Sequence, residues 1–301
     1  MDLKELSNYY PINQVILVKE LGRGNTSDAK LIETNDSKYI LRKLKNTEQA
    51  MTEYVISKAL FQQNICPIIL LSKSNLPFIR DKEDVYNLQI FIENDRVKNQ
   101  DINFYNLGKT ISFFHSMTKN INRIYEQDDR FCLKAMWLEL TKIEGFNNLE
   151  FKTQLSTLAE QCFNCNHENN CYIHGDLGKW NLLFNHNDIY LIDFGEVRKG
   201  NNHFDISAVL SSTIDWDSEE NNIISSLNDF KNGYLDNDET FDGTLFKEAF
   251  TLWVIRGIVA ILINYGINEQ TCSFVKVNLK MINRMGEILK LCNLVEQRGK
   301  I

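Results

Sequence analysis

The chain has 301 residues, a formal charge of −7, and 43% hydrophobic against 24% charged residues. That length can bury a substantial core in one large domain or two lobes, and a mildly acidic chain with no basic stripe is not a nucleic-acid binder. The longest apolar run, Gly257–Asn264, is far short of the roughly 20 residues a membrane span needs, and seven scattered cysteines, an odd number, argue against a disulfide framework and for a reducing, cytoplasmic setting.

In chain order, Met1–Pro11 carries Asp2, Lys4 and Glu5 and no apolar stretch, so it does not read as a signal peptide. Gln14–Glu20 is an apolar-rich strand candidate. Leu21–Asp28 follows as a loop, and Ala29–Glu33 and Lys38–Leu44 are two more strands joined by the turn residues Asn35, Asp36 and Ser37. Asn46 with Gln49 three residues on is an N-cap signal for a helix over Ala50–Phe61, with Met51, Tyr54, Val55 and Leu60 as its apolar positions. Ile68–Ser72, Leu76–Arg80 and Asp84–Ile92 read as strands. Residues 1–93 are thus expected to form a small strand-rich lobe that binds nucleotide.

Glu93–Gln100 is polar and serves as the connector. From Asn103 onward the pattern turns helical: Leu107, Ile111 and Phe114, then Leu138, Leu140 and Ile143, sit at helical spacing, and Phe151–Cys162 continues the theme. Leu182–Phe184 and Ile189–Ile192 read as two short strands about the turn residues 185–188. Ile223–Phe230, Leu245–Ile263 and Phe274–Val295 are further helices. Residues 94–301 are expected to form a mostly helical lobe that carries catalysis and binds the acceptor, with the active site in a cleft of the kind cofactors favour.

The chemistry concentrates around His174–Gly175–Asp176. Asn181 lies five positions after the aspartate, and Ile192–Asp193–Phe194–Gly195 follows the hairpin. Asp176 is a carboxylate able to accept a hydroxyl proton. Asn181 and Asp193 are oxygen donors for a divalent cation. Phosphoryl transfer needs both functions, and the spacing matches the catalytic loop and metal-binding aspartate of protein kinases. Upstream, Gly22-x-Gly24-x-x-Ser27 joins two strands, where glycines let backbone N–H groups approach phosphate oxygens. Arg42 occupies the place of the phosphate-binding kinase lysine, and its guanidinium can clamp phosphate in a bidentate way. Lys43 should face the other side of that strand, and Glu53 on the next helix is the expected partner of Arg42. Phe91 and Ile92 fall where a hinge would meet the adenine edge, with Phe91, Leu183 and Ile192 flanking the base.

With those residues in view, the chain resembles the aminoglycoside phosphotransferase and choline kinase-like family of small-molecule kinases. The resemblance rests on His174–Asn181, Ile192–Phe194, Gly200, Asp205–Ile206 and Ala208, and is strongest over residues 172–208. It implies a two-lobed, α+β, protein-kinase-like fold, ATP or GTP with Mg2+, and transfer of the γ-phosphoryl group to a hydroxyl of a small-molecule acceptor. By the same resemblance Asp176 is the catalytic base, Asn181 and Asp193 are the magnesium ligands, and Asp205 braces the catalytic loop. Phe194 stands where choline-type members tend to carry tryptophan, and Gly178–Lys179–Trp180 differs from the usual spacer. An aminoglycoside-like acceptor is the leading expectation. A metabolite kinase acting on homoserine, a methylthio-sugar or a choline-type acceptor is the alternative.

A protein kinase fits less well. Asp205 lies only twelve positions after Asp193, no Ala-Pro-Glu closes an activation segment, and His-Gly-Asp lacks the arginine of His-Arg-Asp. Two acidic runs, Asp215–Glu220 and Asp236–Glu239, are expected to be solvated faces; lining the cleft, they would favour a cationic acceptor. Cys162-x-x-Cys165 has a metal-ligand spacing, with His167 and Cys171 close by, but the remaining gaps are too short for a zinc knuckle. The expected role of that segment is a helix end followed by a polar turn.

Overall fold

The computed structural model describes residues 3–21, 29–121, 124–125, 127–165, 167–237 and 239–292. They group into two compact units: Met1–Arg96 with Met117–Glu126 and Asn181–Gly195, and Val97–Ser116 with Gln127–Trp180 and Glu196–Ile301.

In the first unit a short helix α1 (Leu6–Tyr9) precedes strands β1 (Val15–Glu20), β2 (Ala29–Thr34) and β3 (Lys38–Leu44). Helix α2 (Thr47–Leu60) follows, and then β4 (Ile79–Asp81) and β5 (Asp84–Ile90). The five strands form one antiparallel sheet in the order β1-β2-β3-β5-β4. Strand alternation gives it two apolar faces. Ile32, Leu41, Ile79 and Leu88 face Leu6 and Tyr10, while Leu44 and Val85 pack with Ala50 of α2.

Helix α2 starts where the sequence marks it, since the Asn46 side chain accepts the Gln49 N–H at 2.8 Å. Its buried positions are Ala50, Thr52, Glu53, Ile56, Ser57 and Leu60, whereas Met51, Tyr54 and Val55 are only half-buried. The stripe that meets the sheet therefore runs through a carboxylate.

Two expected strands shrink. Ile68–Ser72 makes only an isolated bridge, Ile69 to Gln89, and of Leu76–Arg80 only Ile79 and Arg80 enter β4. Pro67 precedes the first and Pro77 lies within the second, and a proline supplies no N–H to a ladder. The hairpin is present as β7 (Leu182–Asn185) and β8 (Asp188–Leu191), paired Leu182 to Leu191 through Asn185 to Asp188; β6 and β9 belong to the second unit.

That second unit is largely helical: α3 (Phe104–Thr118, whose last residues enter the first unit), α4 (Leu133–Leu140), α5 (Lys152–Phe163), α6 (Asn202–Thr213), α7 (Glu220–Leu235), α8 (Gly243–Tyr265) and α9 (Glu269–Leu291). A two-stranded sheet of β6 (Cys171–Ile173) and β9 (Arg198–Gly200) packs with α6. In α4 the buried stripe is Leu133 and Leu140 with Met136 and Trp137 half-buried. Leu138 points to solvent and Ile143 lies past the helix end, so of the expected positions 138, 140 and 143 only Leu140 lies on the buried face. Helix α9 begins earlier than the apolar pattern suggests because Asn268 and Thr271 form a capping box. Among the described residues no helix is long and apolar enough to cross a membrane.

Candidate active site

Arg42 and Asn87 are cross-strand partners on β3 and β5, so both side chains leave the sheet on the face that α2 covers. There they meet Glu53. Arg42 Nη1 donates to Glu53 Oε2 at 3.0 Å, Asn87 Nδ2 donates to the same oxygen at 3.1 Å, and Gln49 Nε2 donates to Oε1 at 2.9 Å. The Glu53 side chain is 1% exposed and that of Arg42 12%. Burial, with the nearby Asp193 charge, holds the Glu53 pKa above the ordinary carboxylate value, although Arg42, Gln49 and Asn87 pull against it. Burial disfavours the guanidinium charge too, but Glu53 and Asp193 outweigh it and hold the Arg42 pKa above its ordinary value. Lys43, on the opposite face, pairs with Asp84 at 2.9 Å.

The other nitrogen of the guanidinium, Nη2, donates to Asp193 Oδ1 at 2.6 Å. Asp193 follows the end of β8 with φ +66°, a left-handed conformation that aspartate tolerates better than most residues. The N–H of Ile192 bonds to the carbonyl of Asn181 at 3.1 Å, so the hairpin ladder continues one step past its last strand pair. That step brings Asn181 and Asp193 to the same open end of the hairpin. Strand parity places Asn181, Leu183 and Ile192 on one face, while Leu182, Phe184, Ile189 and Leu191 fill the other, buried face. Leu183 and Ile192 are half-buried. Gly195 is tightly held, since a Cβ there would lie 2.7 Å from Gln49 Nε2. Phe91 and Ile92 follow β5, both half-buried; the Phe91 N–H bonds to Lys38 O at 3.1 Å, and Lys38 Nζ lies over its ring at 5.7 Å. Gly22, Gly24 and Ser27 lie outside the described residues.

Asp176 belongs to the second unit, just past β6. Its loop hangs from Asp205 on the first turn of α6, which accepts the N–H of His174 at 2.6 Å and that of Gly175 at 3.0 Å. His115 Nε2 lies 3.1 Å from the same carboxylate, and its Nδ1 lies 2.8 Å from the Tyr234 hydroxyl. Asp205 is fully buried, and burial opposes its charge. The hydrogen bonds from His115 and the His174 amide outweigh that and hold its pKa below the ordinary carboxylate value. Gly175 has φ +80°, and a Cβ would sit 2.1 Å from Arg198 Nη1 and 2.5 Å from the Glu196 carbonyl, so no other residue fits.

Sequence reasoning missed most of this bracing. Arg256 donates to the Gly175 carbonyl at 3.3 Å and to Asp129 at 3.1 Å, and Arg198 Nη2 donates to Asp129 at 3.1 Å. Lys179 is tied to Val97 O and Asn99 Oδ1 at 2.8 and 2.6 Å, which makes it a strut of the loop. Trp180 Nε1 donates to Asp176 Oδ2 at 3.4 Å, and its ring stacks on Trp253 at 6.5 Å. Lys179 and Trp180 belong to the loop itself, whereas Asp129, Arg198, Trp253 and Arg256 lie in no local motif and are drawn to it by tertiary packing.

An amide side chain and a carboxylate at one hairpin end are hard oxygen donors, a set that fits magnesium. Residues 18–241 match a family model described as the phosphotransferase enzyme family. No curated protein sequence matches the chain. Among solved structures, amicoumacin kinase hAmiN in complex with AMP-PNP, Ca2+ and Ami is similar over 98% of this chain and 94% of its own, at 15% identity and a TM-score of 0.72. An aminoglycoside phosphotransferase from Alicyclobacillus acidocaldarius is similar over 93% of each chain, at 12% identity and a TM-score of 0.70. Choline kinase LicA from Streptococcus pneumoniae is similar over 89% of this chain and 94% of its own, at 16% identity and a TM-score of 0.60. At such identities the likeness establishes the fold, which is the two-lobed, α+β, protein-kinase-like one expected from the sequence.

Proposed function

The chain belongs to the phosphotransferase enzyme family and is a phosphotransferase acting on hydroxyl acceptors; from that premise we propose that it moves the γ-phosphoryl group of ATP or GTP, bound with Mg2+, to a hydroxyl of a small-molecule acceptor. The observation that carries this reading is the Asp193 carboxylate, held in a left-handed turn beside Asn181 and gripped by a guanidinium that Glu53 anchors. That arrangement supports metal and phosphate binding. AMP-PNP and Ca2+ in the amicoumacin kinase complex are in keeping with a nucleoside triphosphate and a divalent ion here.

In this proposal Asp176 accepts the proton of the acceptor hydroxyl, and the Asp205 hydrogen bonds with the Arg256 contact keep its loop in place. Asn181 and Asp193 hold the metal, which when bound offsets the charge of the triphosphate. Arg42 orients the phosphates, Gly22, Gly24 and Ser27 line them, and Phe91, Ile92, Leu183 and Ile192 contact the base.

The leading acceptor class is aminoglycoside-like, in keeping with the family resemblance. A second reading, a metabolite kinase acting on homoserine, a methylthio-sugar or a choline-type acceptor rather than a polycation, is favoured by local charge. Around Asp176, the Asp129 carboxylate is paired with Arg198 and Arg256, and Glu196 with Arg130. Of the acidic runs, Asp217 is paired with Lys280 and Glu220 with Arg284, and Asp236 accepts from the Tyr105 hydroxyl. Such partners weaken a trap for polycations. ADP or GDP release, measured with Mg2+ across aminoglycosides, spectinomycin, homoserine, choline and a methylthio-sugar, tests the proposal. Turnover of at least one of them that vanishes in Asp176→Ala is the expected result. Transfer to protein substrates alone would refute it, and turnover confined to homoserine, choline or the methylthio-sugar would select the second reading.

A further inference from the structure

Away from Asp176 and Asp193, a thiol, an imidazole and a carboxylate converge. Cys165 and His167 follow the end of α5, Glu248 lies on α8, and their ligand atoms all sit within 4.8 Å of one another. His167 Nε2 and Glu248 Oε2 are already 2.9 Å apart. The turn that carries the thiol is closed by a hydrogen bond from the Cys165 N–H to the Cys162 carbonyl at 3.2 Å. Cys171, the other nearby cysteine of the sequence pattern, is instead buried with Ile173 and Phe204.

We propose that Cys165, His167 and Glu248 form a binding site for a zinc-class divalent metal ion that clips the end of α5 to α8. Zinc takes sulfur, nitrogen and oxygen ligands at roughly 2.0–2.3 Å, so its tetrahedral ligand atoms lie roughly 3.3–3.7 Å apart. Reaching that from a spread of at most 4.8 Å requires contraction by no more than about 1.1–1.5 Å, within the range of side-chain rotation, with His167 and Glu248 parting slightly. A mixed thiolate, imidazole and carboxylate set suits zinc and excludes magnesium, which prefers oxygen alone. On binding, the Cys165 thiol releases its proton to solvent as the sulfur–metal bond forms, and no electron is transferred. Three protein ligands leave the fourth tetrahedral position to water. The site joins segments 81 residues apart in the chain, so its consequence is to hold α5 against α8.

The test uses the full-length chain without a polyhistidine tag, stripped with chelator and reloaded with Zn2+ or Co2+ in the presence of excess Mg2+ and nucleotide. The expected result is one metal ion retained per chain, a thiolate-to-cobalt charge-transfer band, and a zinc-dependent rise in unfolding temperature. Cys165→Ser should abolish the band, and Glu248→Gln and His167→Ala should each weaken zinc binding more than about tenfold. Circular dichroism of the metal-free variants confirms that they fold, and Glu248→Gln, at an exposed position, stands in should Cys165→Ser fail to do so. Absence of retained zinc, a cobalt spectrum lacking the thiolate band, or equal retention by all three variants would overturn the proposal.

Discussion

At the scale of single residues, Arg42 is the pivot. It joins a buried glutamate to the aspartate proposed to hold metal, through bonds of 3.0 and 2.6 Å. Removing Glu53 releases the guanidinium from its anchored pose, so much of the harm of Arg42→Ala should already be present in Glu53→Ala. A double-mutant cycle on nucleotide affinity should give a coupling of about 0.5–3 kcal/mol; strict additivity would dissolve the assignment. Asp176→Ala should lower kcat by roughly 10²–10⁴-fold while nucleotide affinity stays near that of the wild type, and a variant that keeps its turnover would show that another group takes the proton. The sequence pointed to Arg42 and Glu53 because their strand and the helix after it take the place of the kinase lysine and its helix glutamate, and strand alternation turns Lys43 away. It gave no sign of Asn87 and Gln49, since a polar residue on a strand or helix carries no mark of the carboxylate it will meet.

At the scale of elements, the α6–α8 corner supplies a titratable joint. His203, in the first turn of α6, lies 2.9 Å from Asn201 Oδ1 through Nδ1, and its Nε2 accepts the N–H of Asp242, the N-cap of α8, at 2.9 Å. Accepting that bond requires the neutral ring. Burial, only partly countered by Asp242, pushes its pKa down to about 4. The unfolded chain, with an ordinary histidine pKa of about 6.5, then binds more protons than the folded one between those values. This contribution to stability is complete above pH 6.5 or so and is lost progressively as pH falls toward about 4, by at most about 3 kcal/mol. Unfolding midpoints measured from pH 7 to 4 should fall more steeply for the wild type than for His203→Gln; equal slopes would place the acid sensitivity elsewhere. Some boundaries were legible: Asn46 announced α2, and the turn residues 185–188 announced the hairpin, whereas the capping box of α9 was not read from its residues. Strands β6 and β9, three residues each, and the bracing of the Asp176 loop by Asp129, Arg198 and Arg256 were not legible, because they depend on contacts between distant parts of the chain.

At the scale of the whole molecule, the chain's order of strands, hairpin and helices was readable because the hydrophobic period changes from two to 3.6 after residue 93 or so, while the acceptor was not, because its specificity rests on side chains that only folding assembles. Nucleotide binding offers a test at this scale, since a ligand that binds only the folded chain adds stability in proportion to the logarithm of its excess over Kd. At a hundredfold excess the gain is about 2.7 kcal/mol, enough for a shift of several degrees in unfolding temperature. Asn181 and Asp193 share one end of the hairpin, and Arg42 reaches the same aspartate from β3. If the first two hold magnesium, Asn181→Ala and Asp193→Asn should each reduce the stabilisation by nucleotide at low Mg2+ and recover part of it as Mg2+ is raised. Arg42→Ala, a lost phosphate contact, should reduce it at every Mg2+ concentration alike. Thermal melts over a grid of nucleotide and Mg2+ concentrations separate the two behaviours. Variants at 181 and 193 whose melts show the wild-type dependence on Mg2+ would remove both residues from the metal site and leave Arg42 as the feature through which this end of the hairpin meets the nucleotide.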